Sequence, residues 1–131
     1  MLRRTIFTRT AVVGAAVAVF AACDTLGLPG SVEVRVENQS TLTFSAVEYF
    51  AGSDLTTVPL LEPGRSSPYV EADGAYAYTT IQVVVEADTL RLQVIDYVGE
   101  TPLSGGRYTY VLSVDGPSGS RTLLQELRHD S

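Results

Sequence analysis

Few residues in this 131-residue chain have the type and spacing to do chemistry. His129 is the one histidine and stands two residues from the C-terminus, where chains usually fray, so Ser-His-Asp and Cys-His relays lack a well-placed base. "GPSGS", Gly116 to Ser120, centres Ser118 as in a nucleophile elbow, but Ser120 stands where the G-x-S-x-G turn needs its second glycine. A metal bound by nitrogen or sulfur would have only His129 and Cys23 to draw on. Glu71 with Asp73, and Glu86 with Asp88, could hold Ca²⁺ weakly, yet neither pair has the ligand spacing of a Ca²⁺ loop, and solvated turn acids are the better reading. No catalytic residue, metal or cofactor is therefore expected. An enzyme acting through carboxylates alone, as glycosidases do, is the remaining catalytic alternative.

Recognition is the other chemistry on offer. In "AYAYTTIQVVVEADTLRLQVIDYV", a hairpin turn centred on Ala87 and Asp88 would pair Ile81 with Val94, Val83 with Leu92 and Val85 with Leu90 as an apolar seam facing the core. The same register sets Tyr78 opposite Tyr97, Gln82 opposite Gln93 and Val84 opposite Arg91 on the other face, with Tyr76 in line. Tyr76, Tyr78, Tyr97, Gln82, Gln93 and Arg91 would then form an aromatic and amide surface suited to stacking on a sugar or packing against a protein strand. The plainer alternative is a solvated sheet face, or one covered by a second sheet.

The elements that must carry such a surface are strands. "SVEVRVEN" puts Val32, Val34 and Val36 on one face and Glu33, Arg35 and Glu37 on the other. "LTFSAVEYF" alternates through Leu42 and Phe44 and resumes out of phase at Val47 and Tyr49, which predicts a bulge near Ser45 and Ala46. Pro63 and Gly64 suit a type II turn, Asp73 and Gly74 a type I′ hairpin turn. "VDGPSGS" breaks the chain again before a last apolar segment around Leu123, Leu124 and Leu127. About seven strands result, with no helical spacing after Cys23, and the pattern predicts a single antiparallel β-sandwich of immunoglobulin-like character.

Ahead of these strands the chain reads as an export signal. "MLRRTIFTRT" carries Arg3, Arg4 and Arg9 without an acid, and the apolar run Ala11 to Ala22 is about half of the ~20 residues a membrane span needs. The residues "FAAC" resemble the lipobox of bacterial lipoprotein precursors, although Phe20 replaces the usual leucine. That resemblance implies cleavage between Ala22 and Cys23 and acylation of Cys23, the sole cysteine; a plain signal peptide with an incidental thiol is the alternative. Two or more acyl chains hold a protein on a membrane firmly, whereas one does so only marginally. The paired arginines suit either the general secretory or the twin-arginine route. The expected organisation is 1–22 signal peptide, 23–30 lipidated cysteine and tether, and 31–131 the sandwich, without disulfide.

Removing the signal takes three arginines and no acid, leaving six basic residues against fifteen acidic ones, a net charge of −9, with no lysine anywhere. That balance disfavours nucleic acid and anionic membrane surfaces. Asn38-Gln39-Ser40 matches a glycosylation acceptor, which a bacterial lipobox makes meaningless. "VRVENQS", "GRSSPYVEADGAY" and "LSGGRYTYVLSV" together resemble a family of bacterial cell-envelope proteins of unknown function built from immunoglobulin-like sandwiches. The resemblance implies fold and compartment only. The expected function is a lipid-anchored, monomeric structural or protein-interaction module of the bacterial envelope, exposed to periplasm or cell surface; a glycan or small-ligand binding module is the alternative.

Overall fold

The computed structural model describes residues 31–95, 97 and 99–131, so the expected signal, Cys23 and tether lie outside the described residues. Eight strands follow in order: β1 (Val32–Asn38), β2 (Ala46–Ala51), β3 (Asp54–Val58), β4 (Val70–Glu71), β5 (Ile81–Val85), β6 (Asp88–Leu92), β7 (Gly106–Asp115) and β8 (Thr122–His129). They form two four-stranded sheets, β4-β1-β7-β8 and β3-β2-β5-β6. Inward residues of both bury one core: Val32, Val34 and Val36 of β1, Val47 and Tyr49 of β2, Ile81, Val83 and Val85 of β5, and Tyr110 and Leu112 of β7. The predicted all-β sandwich is present. Lettered A to H in chain order, its sheets read DAGH and CBEF, whereas constant-type immunoglobulin domains read ABED and CFG.

Pairing is antiparallel except between β1 and β7, which run parallel in register from Val32 opposite Gly106 to Asn38 opposite Leu112. Local alternation is blind to this, because a strand's inward face is the same whichever way its neighbour runs. The phase change at Ser45 and Ala46 is real: Phe44 bridges Leu61, β2 opens at Ala46, and Phe44 and Val47 are both fully buried.

Two expectations about turns need correction. Asp73-Gly74 joins no hairpin, since β4 and β5 lie in different sheets. The Ala75 amide donates to Ala72 O, and of the two central residues only Gly74 has positive φ, the sign pattern of a type II turn, as at Pro63-Gly64. The β5–β6 turn consists of Glu86 and Ala87, with Val85 opposite Asp88. Val83 therefore faces Leu90 and Ile81 faces Leu92, a two-residue shift that keeps Ile81, Val83, Val85, Leu90 and Leu92 against the core, whereas Val94, expected opposite Ile81, lies beyond the ladder and lines a surface groove. Glu86 takes the positive φ of 54° that the tight turn demands. Its carboxylate and that of Asp88 both accept from Arg121, whose side chain is only 9 % exposed, so these turn acids clamp one sheet to the other.

Two core tyrosines meet edge to face, Tyr49 and Tyr110, with ring centroids 6.3 Å apart. The Tyr110 hydroxyl donates to Tyr76 O at 2.7 Å, while the Tyr49 hydroxyl, beside Ser67, has no hydrogen-bond partner among the described residues. Burial raises both pKa values. Tyr49→Phe is expected to hold or raise stability by up to about 1 kcal/mol, because a desolvated hydroxyl is removed; Tyr110→Phe is expected to cost about 1–2 kcal/mol by stranding the Tyr76 carbonyl. Urea unfolding of both variants against wild type measures the contrast.

Candidate functional site

The aromatic surface read from the sequence is assembled, but by loops rather than by sheet register. Tyr76 and Tyr78 precede β5, and Tyr97 follows β6. The Tyr76 and Tyr97 rings stack at 4.3 Å with planes 13° apart, and Tyr78 lies 5.9 Å from Tyr97. Tyr76 and Tyr97 are half-buried and Tyr78 is exposed. Three anchors fix this end of the sandwich: Tyr110 holds the Tyr76 carbonyl, the Leu103 amide donates to Ala75 O, and the Asp73 carboxylate accepts from the Val32 amide. Gly52, with φ +66°, lets the β2–β3 turn approach so closely that a Cβ there would stand 2.9 Å from Asp73 O. A hollow of about 260 Å³ remains among Phe50, Ser53, Asp73, Tyr76, Tyr97 and Tyr110.

The polar members of the expected surface separate from the tyrosines. The shifted register puts Gln82 opposite Arg91, not opposite Gln93, and the Arg91 guanidinium donates to Gln82 Oε1 at 3.2 Å. Val84 faces Thr89 rather than Arg91. Gln82 and Arg91 lie with Glu48, Phe50 and Leu55 around a shallow depression of about 180 Å³ on the outer face of that sheet. Gln93 lies beyond β6, in an apolar groove of about 610 Å³ between β6 and β8 that Tyr78, Leu92, Ile95 and Leu124 also line. Tyr78 thus connects the tyrosine stack to the groove. Beneath it Gln125 closes an amide pair with Thr79, accepting from its amide at 2.9 Å and donating to its carbonyl at 3.0 Å.

The outer face of the other sheet holds a charged network that strand alternation leaves unassembled, because its partners come from β1, β7, the C-terminus and the segment before β4. Thr109, fully buried on this face, donates to Asp130 Oδ2 and accepts from Arg35 Nε at 2.9 Å. Tyr69 and Arg128 also donate to Asp130, and Arg128 reaches Glu37 as well. The Arg35 and Arg107 guanidinium carbons lie 4.5 and 5.1 Å from the Tyr69 ring centroid. Burial works to raise the Asp130 pKa, but the bonds from Thr109, Arg128 and Tyr69 outweigh it and hold the carboxyl at about 2. Each charge here is matched, which makes the network a brace rather than a receptor.

The remaining candidates have structural partners. His129 stacks on Tyr108 at 4.5 Å. Asn38 is fully buried and cannot present its amide to a modifying enzyme. Among the described residues no three His, Cys, Asp or Glu side chains are grouped to hold a metal ion.

No family model and no curated protein matches the chain, and the comparisons support a β-rich fold without showing the envelope family. An NMR structure of a protein from Eubacterium rectale is similar in fold, with a TM-score of 0.52 at 12 % identity over 73 % of this chain and 88 % of that one. A crystal structure of a "putative cell adhesion protein" from Bacteroides uniformis aligns over 78 % of this chain and 51 % of that one at 8 % identity; its TM-score of 0.37 is too low to bear on the comparison.

Proposed function

We propose that the chain is a bacterial envelope protein tied to a membrane through acyl chains on Cys23, and that its sandwich works as a structural or protein-interaction module without catalysis. The observation carrying this reading is a juxtaposition. A basic head, an apolar run and "FAAC" end at Cys23, and a complete, internally braced sandwich opens nine residues later at Val32. Firm anchoring needs more than one acyl chain, as a diacylglycerol-modified cysteine would supply. Cys23→Ser is expected either to leave unprocessed precursor or to release soluble protein from the membrane fraction, seen as loss of the processed, detergent-phase form. Intact mass of the wild type checks the chemistry; an unmodified thiol at Cys23 of the mature chain overturns the anchor.

A second reading, a glycan or small-ligand binding module, is favoured by the stacked Tyr76 and Tyr97 beside Ser53 and Asp73. Tyrosine rings offer a sugar an apolar face and a polar tip, which is the chemistry such a module needs.

A further inference from the structure

The chain holds two Asp-Gly steps, Asp73-Gly74 and Asp115-Gly116, and all four residues are exposed. An aspartyl carboxyl followed by glycine is open to attack by the backbone nitrogen of that glycine, because no side chain shields the nitrogen. The attack needs nitrogen and carboxyl held face to face within about 3–3.5 Å. At the end of β7 the Gly116 amide donates to Asp115 Oδ1 at 3.0 Å, so nucleophile and electrophile are already neighbours. At the other step the Val32 amide donates to Asp73 Oδ1 at 3.4 Å, which turns that carboxyl toward β1.

The surroundings of Gly116 decide what the reaction would do. Gly116 has a φ of +93°, and a Cβ there would stand 2.6 Å from Ser120 O, so the backbone is too close to its own turn to take up an added atom quietly. The Ser120 amide closes that turn on Pro117 O at 2.9 Å, and Asp115 is the last residue of β7 to pair, opposite Thr122. Arg121 stands beside Thr122 and binds Glu86 and Asp88 of the other sheet at 2.9 Å each. The Gly119 amide also donates to Asp88 Oδ2. Lengthening the backbone at 115–116 therefore acts on the clamp that joins the two sheets at this end.

We infer that Asp115 and Gly116 form a self-modifying site, at which aspartate is converted to isoaspartate within the folded protein. Gly116 N attacks Asp115 Cγ in the neutral carboxyl; the N–Cγ bond forms, the C–OH bond breaks, and the hydroxyl leaves as water with the amide proton. Water then adds to the five-membered imide. Breaking the new N–Cγ bond restores aspartate. Breaking the bond from nitrogen to the Asp115 main-chain carbonyl carbon leaves isoaspartate, whose backbone runs through the former side chain and is longer by one carbon. Nothing is oxidised or reduced, and mass and charge are conserved. The added carbon opens the β7–β8 turn and loosens Arg121 from Glu86 and Asp88.

The chain has no lysine, so trypsin cuts it only after arginine and delivers the two steps in separate peptides, 66–91 and 108–121. The full-length protein is held folded at pH 5 and pH 8, then digested. Isoaspartate shows as a second elution peak of unchanged mass, whose electron-transfer fragments break the extra backbone C–C bond. Isomer in 108–121 should exceed that in 66–91 by about tenfold in the folded protein and by no more than about twofold in concentrated urea, where orientation is lost. Formation should be faster at pH 5, where more of the carboxyl is neutral. Asp115→Glu, which would need a six-membered ring, should remove the signal from 108–121. Ageing should lower the urea midpoint of wild type, leave Asp115→Glu unmoved, and lower Arg121→Gln less than wild type, since no clamp is left to loosen. Equal isomer at both steps of the folded protein, or an excess that persists in urea, overturns the site. Faster formation at pH 8 overturns attack on the neutral carboxyl. Isomer that accumulates without moving the wild-type midpoint overturns the link to the clamp.

Discussion

Asn38→Asp is expected to lower stability by about 3–5 kcal/mol, a large share of the 5–15 kcal/mol that holds an ordinary domain. The Asn38 side chain is fully buried at the end of β1, and every polar position on it is used. Its Nδ2 donates to Leu42 O at 2.7 Å and Leu61 O at 2.9 Å, while Oδ1 accepts from the Ser40 amide at 2.9 Å and the Ser40 hydroxyl at 2.6 Å. Aspartate would turn an oxygen toward two carbonyls and bury a charge beside them. The introduced acid would have a raised folded-state pKa, so its neutral form is the tolerated one. The deficit should therefore shrink as pH falls toward that pKa and grow as pH rises. Urea midpoints of wild type and variant between pH 4 and 8 check both size and sign; a deficit independent of pH would mean that a buried carboxylate is not the cause.

Asp130→Asn is expected to cost about 1–2 kcal/mol at neutral pH, discounted for the solvent that reaches Arg128. The Asp130 carboxyl sits at about 2 against an ordinary 3.8. A depressed carboxyl contributes stability that is fully present above its unfolded pKa and is lost as pH falls through the folded one. The difference between wild type and variant should accordingly be constant above about pH 5, narrow below pH 4 and vanish only below the folded pKa, at about pH 1. Thr109→Val removes a donor from the same carboxylate, so its effect should add to that of Asp130→Asn by less than the sum. Full additivity would show that the contacts with Asp130 do not act as a unit.

The sequence made local facts legible and left non-local ones hidden, for physical reasons visible in single residues. Alternation in "VEVRV" assigned the inward face of β1 correctly, since a period of two depends only on burial. The same alternation could not show that β1 pairs parallel with β7, 74 residues away. The β5–β6 register was misplaced by two because Ala-Asp looks more permissive of a tight turn than Glu-Ala does. Glu86 accepts positive φ where its carboxylate also binds Arg121, a partner 35 residues downstream. Tyr76, Tyr78 and Tyr97 came together despite that shift, because loops rather than ladder pairs carry them. Gln82, Arg91 and Gln93 depended on the register and parted from the tyrosines. The Asp130 network gave no signal, for its members belong to four separate stretches of chain and only folding makes them neighbours.

The place of β1 inside its sheet has a mechanical meaning. It lies between β4 and β7, and its first residue is the one nearest the proposed anchor. A load drawn between Cys23 and a partner gripping the far turns, Glu62 to Arg65 or Asp115 to Ser120, pulls β1 along its own axis. Sliding it would have to break the ladder to β7 across all the registered positions from Val32 to Asn38 at once, together with the bonds to β4. A strand loaded in shear resists as a set of rungs in parallel, whereas a strand peeled from a sheet edge yields one rung after another. The lifetime of such an attachment under tension is set by the rate of forced unfolding rather than by equilibrium stability. If the chain is anchored at Cys23 as proposed, tying it through a central strand would make the sandwich a better strain-bearing link than its modest size suggests.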